Sequence, residues 1–292
     1  MNTDQAGLLV EGFREFSERK TREAIAARLL PLNAIEDHSG AFATQPIGNG
    51  WTREYYDGAF HLPLYGASRP FVSLVFVQSK HGNTGTDNPD ELGGGPVDKH
   101  LIYEGLSRVG VDAVLAGAKT AGDPNTFFSV WHPELVALRH ELGIPRHPAQ
   151  IIVTGRGCID PEVSRIFNVP DTPVYVVATQ AGCRALERAV SERPWVTVVP
   201  MTADDLRQPL ECLNREHGIR RISAVGGRTT ASALLDQGLV QDVCLTTTAR
   251  EAGEPNTPFY VGSHPPRLMP IVRKRGLDDE YPILFEQLAV QR

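Results

Sequence analysis

The first hydrophobic pattern in the chain is helical. Apolar residues recur three or four positions apart among polar and charged ones, beginning with Leu9, Phe13 and Phe16. This spacing predicts an amphipathic helix, or two, over residues 4–30. Residues 32–69 lose the periodicity and are rich in glycine, proline and aromatic residues, which predicts an irregular arm. We therefore expect residues 1–69 to form an N-terminal appendage.

After residue 70 the pattern changes to short aliphatic runs that alternate with helical stretches. The runs that predict strands are residues 71–77, 113–116, 150–154, 174–178, 196–199 and 221–225. The stretches that predict helices are residues 98–108, 133–142, 181–191, 203–217 and 229–237, the last closed by Gly238. Alternation of this kind is typical of parallel strands joined by helices.

The C-terminal part lacks such helices. Three apolar runs follow one another at residues 243–248, 267–274 and 282–290. Without a helix between them they predict antiparallel neighbours, so the sheet is expected to be mixed and mostly parallel. We expect residues 70–292 to form one α/β domain.

Composition narrows the class of protein. The 29 Lys and Arg residues are outnumbered by 35 Asp and Glu residues, and no long basic run is present, so we expect no nucleic-acid partner. The four cysteines are far apart and form no Cys-x-x-Cys pair, which favours reduced thiols in a cytoplasmic protein. No segment approaches the roughly 18 apolar residues that a membrane span requires. We therefore expect no membrane partner.

One short motif points to a metal and is set aside. His132-Pro-Glu134 matches the His-x-Glu of zinc deaminases, but the Pro-Cys-x-x-Cys that completes their zinc site is absent. Without those thiolates a zinc ion lacks ligands. We expect no metal site.

Three strand ends carry residues suited to an anionic ligand. Glycines let the backbone approach a phosphate, and a following helix offers free N–H groups and partial positive charge. The residues concerned are Gly117, Lys119 and Thr120, then Thr154 and Arg156, then Gly226, Gly227, Arg228 and Thr229. Each segment taken alone is equally consistent with a tight turn that binds no ligand. Together they predict one extended, phosphate-bearing cofactor at the carboxyl ends of the strands.

These segments fall within a longer resemblance. The stretches that carry it are Arg69-Pro-Phe-Val-Ser-Leu74, Ser79-Lys-His-Gly82, Val111-Asp-Ala-Val-Leu-Ala-Gly-Ala-Lys-Thr120, Asp123-Pro124, Val225-Gly-Gly227 and Ala233-Leu-Leu-Asp-Gln-Gly-Leu-Val240. In order and spacing, residues 69–290 resemble the reductase domain of the deaminase-reductases of riboflavin biosynthesis. The resemblance implies a three-layer fold of the dihydrofolate-reductase type, NADPH as cofactor, a ribosylamino-pyrimidine phosphate as substrate, and a homodimer. It places Gly117 and Thr120 at the cofactor-binding strand end, Thr154 and Arg156 near the adenosine 2′-phosphate, and Gly226 and Gly227 at the pyrophosphate or the nicotinamide ribose.

The chain departs from the family pattern on the substrate side. Relatives commonly have Ser-Leu-Asp-Gly after the first strand of the domain, where this chain has Ser79-Lys-His-Gly82. Relatives often have an arginine after the Asp-Pro pair, where this chain has Asn125. Val225 replaces an acid that commonly precedes the glycine pair. Ser79 and Asn125 are therefore candidate substrate contacts in an altered site, and a pteridine-like substrate is an alternative to the pyrimidine.

Two residues are candidate proton donors. His81 and Asp123 both follow strand ends that face the predicted ligand. Each has an ordinary alternative, His81 as an exposed loop residue and Asp123 as part of an Asp-Pro turn. Two other functions stay open: a non-catalytic nucleotide-binding relative, and a reductase of the dihydrofolate-reductase type or of a secondary pathway.

Overall fold

The computed structural model describes residues 3–64, 68–262 and 264–291. Its strands are β1 Leu32–Asp37, β2 Thr44–Ile47, β3 Phe60–Pro63, β4 Phe71–Gln78, β5 Ala113–Gly117, β6 Ala149–Thr154, β7 Val174–Thr179, β8 Val196–Met201, β9 Arg221–Val225, β10 Asp242–Thr248, β11 Arg267–Gly276 and β12 Ile283–Gln291. Its α-helices are α1 Thr3–Ala26, α2 Gly50–Tyr55, α3 Ser107–Val109, α4 Ala118–Ala121, α5 Pro133–Glu141, α6 Gln180–Val190, α7 Arg207–His217 and α8 Arg228–Asp236. A π-helix, Val97–Leu106, runs directly into α3.

Ten of these strands form one sheet in the order β1-β11-β12-β10-β4-β9-β5-β6-β7-β8. The seven strands from β10 to β8 are parallel to one another. The strands β12, β11 and β1 then pair antiparallel, each with its neighbour. The mixed, mostly parallel sheet expected from the sequence is therefore present.

Side chains from the two faces of the sheet form two separate cores. On one face the π-helix, α5 and α6 bury residues such as Leu101, Leu135 and Leu186. On the other face α7 and α8 bury Leu213 and Leu234. Both faces of the parallel strands are covered, which is why their sequences are nearly continuous apolar runs without polar alternation. This gives the three-layer α/β arrangement.

The chain crosses the sheet on different faces from two neighbouring strands. The connection from β4 to β5 contains the π-helix and covers one face, whereas the connection from β9 to β10 contains α8 and covers the other. Because β4 and β9 are neighbours in the sheet, the two connections diverge to opposite faces at the carboxyl ends of these two strands. Such a divergence opens a crevice, and ligands of open α/β sheets bind there.

Residues 32–69 contain regular elements that the sequence pattern did not predict. Strand β1 pairs with β11 at the edge of the main sheet, β2 and β3 form a hairpin, and α2 begins with a capping box between Asn49 and Thr52. The described residues of the predicted irregular arm thus include three strands and a short α-helix. The strands are only four to six residues long and partly exposed, so their apolar alternation is too short to stand out.

The first helix is packed along its apolar stripe, as its sequence predicts. Phe16 is buried and lies edge-on to Trp131, and Phe13 contacts Phe127. The opposite side carries ion pairs such as Arg19 with Glu23. Among the described residues, no helix is long and apolar enough to cross a membrane.

Candidate functional site

The turn between β9 and α8 lies at the centre of the crevice. Gly226 and Gly227 both have positive φ angles, +85° and +61°, a conformation that glycine adopts without strain. The two residues change the chain direction so that α8 begins at Arg228, with its first N–H groups directed to the crevice. A backbone of this shape lets a phosphate group approach closely.

The end of β5 packs against this turn. A Cβ atom added to Gly226 would lie 2.9 Å from Thr120 Oγ1, and one added to Gly117 would lie 3.2 Å from Thr230 Oγ1. The structure therefore brings Gly117, Thr120, Gly226 and Gly227 into one cluster. Lys119 instead points to solvent, where its Nζ lies 2.9 Å from Asp87 Oδ1.

The end of β6 adds a third, tightly packed turn. Thr154 is buried and its Oγ1 accepts a hydrogen bond from the Gly157 amide. Gly157 has a φ of +70°, and a Cβ atom there would lie 2.6 Å from the Gly182 carbonyl oxygen. Thr154 therefore shapes the turn, while the exposed Arg156 at its tip is available to a ligand.

Two arginines of the crevice keep their guanidinium groups available. Within the described residues, the side chains of Arg156 and Arg228 make no ion pair or hydrogen bond. Arg228 is partly buried in the first turn of α8, and Thr229 beside it is exposed. A cluster of backbone N–H groups with two unpaired guanidinium groups is an environment for an anion with several charges.

The turn after β4 fixes Ser79 and leaves His81 outside. Ser79 is fully buried, and its Oγ accepts a hydrogen bond from the Asn83 amide. His81 is exposed at the tip of the same turn. The neighbouring Lys80 forms an ion pair with Glu251 of the loop after β10, so the two loops at this end of the crevice are linked.

Asp123 and Asn125 occupy a separate surface turn after α4. The Asn125 amide donates a hydrogen bond of 2.6 Å to Asp123 Oδ1, and the Thr126 amide donates to the Asp123 carbonyl oxygen. Both side chains are exposed. Asp123 therefore closes an Asp-Pro turn, and nothing in the described contacts brings it against the glycine cluster.

Comparison with known proteins decides the family. The family model described as RibD C-terminal domain matches residues 70–274. The chain belongs to this family. A 2,5-diamino-6-ribosylamino-4(3H)-pyrimidinone 5′-phosphate reductase of Archaeoglobus fulgidus is 28% identical over 177 residues, which cover 60% of this chain and 78% of the relative.

Solved structures agree on the fold. A pyrimidine reductase-like protein of Corynebacterium diphtheriae superposes with a TM-score of 0.63 at 21% identity, covering 76% of this chain and 92% of its own. The riboflavin biosynthesis reductase Rib7 of Saccharomyces cerevisiae superposes with a TM-score of 0.53 at 18% identity, covering 77% and 93%. The family resemblance and the α/β fold class expected from the sequence are confirmed, and so is the assignment to a reductase. Membership of the RibD C-terminal family brings with it a nicotinamide cofactor and a small-molecule substrate.

Asp98, which no sequence pattern singles out, lies beside Thr246 near the carboxyl end of β10. It lies in the first turn of the π-helix, where a Cβ atom on Gly94 would come within 2.7 Å of Asp98 Cβ. Burial raises the pKa of the Asp98 carboxyl to about 6, and the nearby Thr246 hydroxyl counteracts this in part. A carboxyl with such a pKa changes protonation close to neutral pH, as general acids do. The raised pKa of Asp98 results from its burial, and no sequence pattern predicts that burial.

The glycine run after β4 is packed, not solvated. A run of glycines permits large changes of backbone dihedral angles and is common in mobile or solvated loops. Gly93 and Gly94 are buried, and Cβ atoms at Gly93, Gly94 and Gly95 would collide with Arg250, Asp98 and Tyr281, respectively. The run forms the close-packed entrance to the π-helix and holds Asp98 in place.

Proposed function

We propose that the chain is an NADPH-dependent reductase of a ribosylamino-pyrimidine or a pteridine-like small molecule. The observation that carries this proposal is the cluster of Gly226, Gly227, Gly117 and Thr120, built at the point where the connections from β4 and β9 diverge. The family match and the name of the archaeal relative support a pyrimidine over other heterocycles.

The residues of the crevice fit a dinucleotide. Gly226 and Gly227 would hold the pyrophosphate against the start of α8, with Arg228 and Thr229 beside it. Gly117 and Thr120 would line the same cofactor from the end of β5, and Lys119 would reach it only by leaving Asp87. When bound, the cofactor supplies a hydride to an electrophilic carbon of the substrate. The protein would hold the cofactor and the substrate in the orientation that hydride transfer requires and would exclude water.

Arg156 supports NADPH over NADH. Its unpaired guanidinium lies at the tip of the turn after β6, one strand further from the crevice centre than Gly117. An extended cofactor whose pyrophosphate lies at Gly226 would reach this turn with its adenosine end. A guanidinium pairs with a 2′-phosphate in two parallel hydrogen bonds and gains nothing comparable from a 2′-hydroxyl. Thr154 would serve by shaping this turn.

Asp98 is the proton donor that we propose. Its carboxyl lies beside Thr246, near the carboxyl ends of β10 and β4, and its raised pKa keeps a proton available below about pH 6. His81 and Asp123 remain predictions from the sequence, since one is exposed at a loop tip and the other is engaged in a turn. Ser79 would act on the substrate through the turn it stabilises, and Asn125 would replace the arginine of relatives.

We propose that residues 70–292 form the reductase domain and residues 1–69 an appendage that is joined to it through β1. The resemblance supports a homodimer. The four cysteines are free thiols, which supports a cytoplasmic location.

Thermal unfolding with NADPH, with NADH and without cofactor tests the cofactor assignment. A ligand at 100 times its dissociation constant stabilises the folded state by about 2.7 kcal/mol, which is readily measured as a shift in Tm. We expect a larger shift with NADPH than with NADH. A screen of pyrimidine and pteridine substrates, followed by NADPH oxidation, then tests turnover. Absence of any shift at millimolar cofactor would refute the reductase, and a shift without turnover of any substrate would indicate a nucleotide-binding relative.

A further inference from the structure

The turn after α4 is held by two consecutive residues of the connection that follows β6. Ser164 is fully buried, and its Oγ donates a hydrogen bond of 2.6 Å to the Ala121 carbonyl oxygen. Arg165 Nε donates one of 3.1 Å to the Pro124 carbonyl oxygen. Pro124 follows Thr120 of the glycine cluster by four positions, which an extended chain spans in at most about 14 Å. Arg165 therefore lies beside the predicted cofactor crevice.

Most hydrogen-bonding groups at this turn are unused. A guanidinium has five N–H donors, and Nε carries one of them. Within the described residues, the other four N–H groups of Arg165 donate to no acceptor, and its guanidinium forms no ion pair. The side-chain amide of Asn125, the residue after Pro124, is exposed and makes no hydrogen bond in the same part of the chain. Both side chains are therefore available as donors at one turn.

The charge around Arg165 is positive. Its guanidinium lies over the Phe16 ring of α1, 4.4 Å from the ring centre. Arg19 and Lys20 lie 5.2 and 5.9 Å from the same centre, and both pair with Glu23, so one acid is shared by two cations. Burial lowers the pKa of Arg165, and the charge of Arg19 lowers it further. A guanidinium that lies among cations without a carboxylate of its own is stabilised by an anion.

We propose that this cationic turn, formed by residues 123–125 with Arg165 and Arg19, binds a phosphate monoester carried by the substrate. Arg165 would form two parallel hydrogen bonds with phosphate oxygens, and the Asn125 amide would donate to the third oxygen. Arg19 would add positive charge from α1. The proposal rests on the proposed function, because it assigns a phosphate ester to the substrate of that reductase. It also gives the N-terminal appendage a part in substrate binding.

Titration with ribose 5-phosphate, with ribose as the matched control, tests the proposal. Ribose is the same sugar without the phosphate. We expect ribose 5-phosphate to shift the NMR signals of the Asn125 side-chain amide and of the Arg165 Nε–H group, and ribose to leave them unchanged. Inorganic phosphate is the third probe. It should bind more weakly than ribose 5-phosphate, because a substrate site also contacts the sugar.

Three variants localise the effect. R165Q keeps an N–H donor for the Pro124 carbonyl oxygen and removes the charge, so it should weaken ribose 5-phosphate binding by about tenfold or more. R184Q is the matched control and should leave the affinity unchanged, because Arg184 is exposed and its Nε likewise donates to a carbonyl oxygen, that of Gln180. N125R added to R165Q returns a guanidinium to the same turn and should restore most of the affinity. Such a rescue would not follow if Arg165 only supported the turn.

Four results would overturn the proposal. Two are equal affinity of R165Q and the unaltered protein for ribose 5-phosphate, and equal affinity of the unaltered protein for ribose and ribose 5-phosphate. The third is inorganic phosphate that binds at least as tightly as ribose 5-phosphate, which would indicate a site for free phosphate. The fourth is weaker NADPH binding in R165Q, which would place Arg165 at the cofactor. These titrations need no turnover, and the shift in Tm with NADPH tests the proposed function separately, so the two failures are distinguishable.

Discussion

Thr120 lies directly against Gly226, since a Cβ atom added to Gly226 would sit 2.9 Å from Thr120 Oγ1. This contact holds the turn after β9 against the end of β5. Gly226→Ala would add both a steric overlap and the strain of a φ of +85°. We expect it to lower stability by about 1–3 kcal/mol and to abolish the shift in Tm produced by NADPH.

Gly218→Ala separates strain from the loss of binding. Gly218 ends α7 with a φ of +69°, and a Cβ atom there meets no atom within 4 Å. This variant should lose stability through strain and keep the full NADPH shift. If both variants keep that shift, the cofactor does not lie on the Gly226 turn.

Arg156→Gln tests how the protein distinguishes the two nicotinamide cofactors. Arg156 is exposed and unpaired within the described residues, so its loss should not change stability by more than about 0.5 kcal/mol. We expect the dissociation constant of NADPH to rise by about tenfold or more, with that of NADH unchanged. Isothermal titration measures both. Arg188→Gln, at the far end of α6, is the matched control and should change neither.

Asp98→Asn tests the proton donor. Burial raises the Asp98 pKa to about 6, so a step that needs its proton slows as the pH rises above that value. We expect the variant to lower kcat by about 10²–10⁴-fold, to lose the fall of activity near pH 6, and to bind NADPH normally. Stopped-flow measurement of NADPH oxidation between pH 5 and 8 would show this.

His81→Gln and Asp123→Asn should be compared with Asp98→Asn, because the sequence makes both residues candidate proton donors. Both are exposed, and we expect each to retain most of the activity and its pH profile. If either variant loses more activity than D98N does, the substituted residue and not Asp98 is the proton donor.

The main sheet can be predicted from the sequence because its parallel strands are buried on both faces. Residues 221–225 were predicted as a strand and are β9 with the same bounds, and Gly238 closes α8 with a φ of +63°. Continuous apolar runs bounded by glycine or charged residues leave little room for another interpretation. The glycine cluster follows from the same information, since it sits where those runs end.

The buried carboxyl groups and the short N-terminal strands could not be predicted from the sequence. Asp98 and Asp242 look like ordinary charged residues, and only their contacts with the rest of the fold remove them from water. Strand β1 owes its place in the sheet to pairing with β11, more than 200 positions later. Such long-range contacts leave no periodic trace in a four- to six-residue segment.

Asp242→Asn should change how stability depends on pH. Burial raises the Asp242 pKa to about 6 from an ordinary 3.8, so the folded protein binds a proton more tightly than the unfolded chain does. The protonated carboxyl therefore favours the folded state below about pH 4, and that advantage is lost as the pH rises through 6. Two pKa units correspond to about 3 kcal/mol. We expect D242N to be more stable than the unaltered protein at pH 8, by up to this amount, and similar to it near pH 4. Urea unfolding at both values measures the difference, and equal stabilities at pH 8 would contradict a buried, ionised Asp242.

Phe16→Ala tests whether α1 is an integral part of the fold. Phe16 is 4% exposed, lies edge-on to Trp131 at 5.6 Å between ring centres, and is covered by the Arg165 guanidinium at 4.4 Å. Removing the ring leaves a cavity in a core shared with the sheet, which costs about 3–5 kcal/mol. Leu8→Ala on the same helix is the control, since Leu8 is 73% exposed and its loss should cost less than about 0.5 kcal/mol. A single unfolding transition that shifts as a whole in F16A would show that residues 1–69 fold together with the reductase domain. A small separate transition that alone responds to the substitution would show that α1 docks on a domain stable without it.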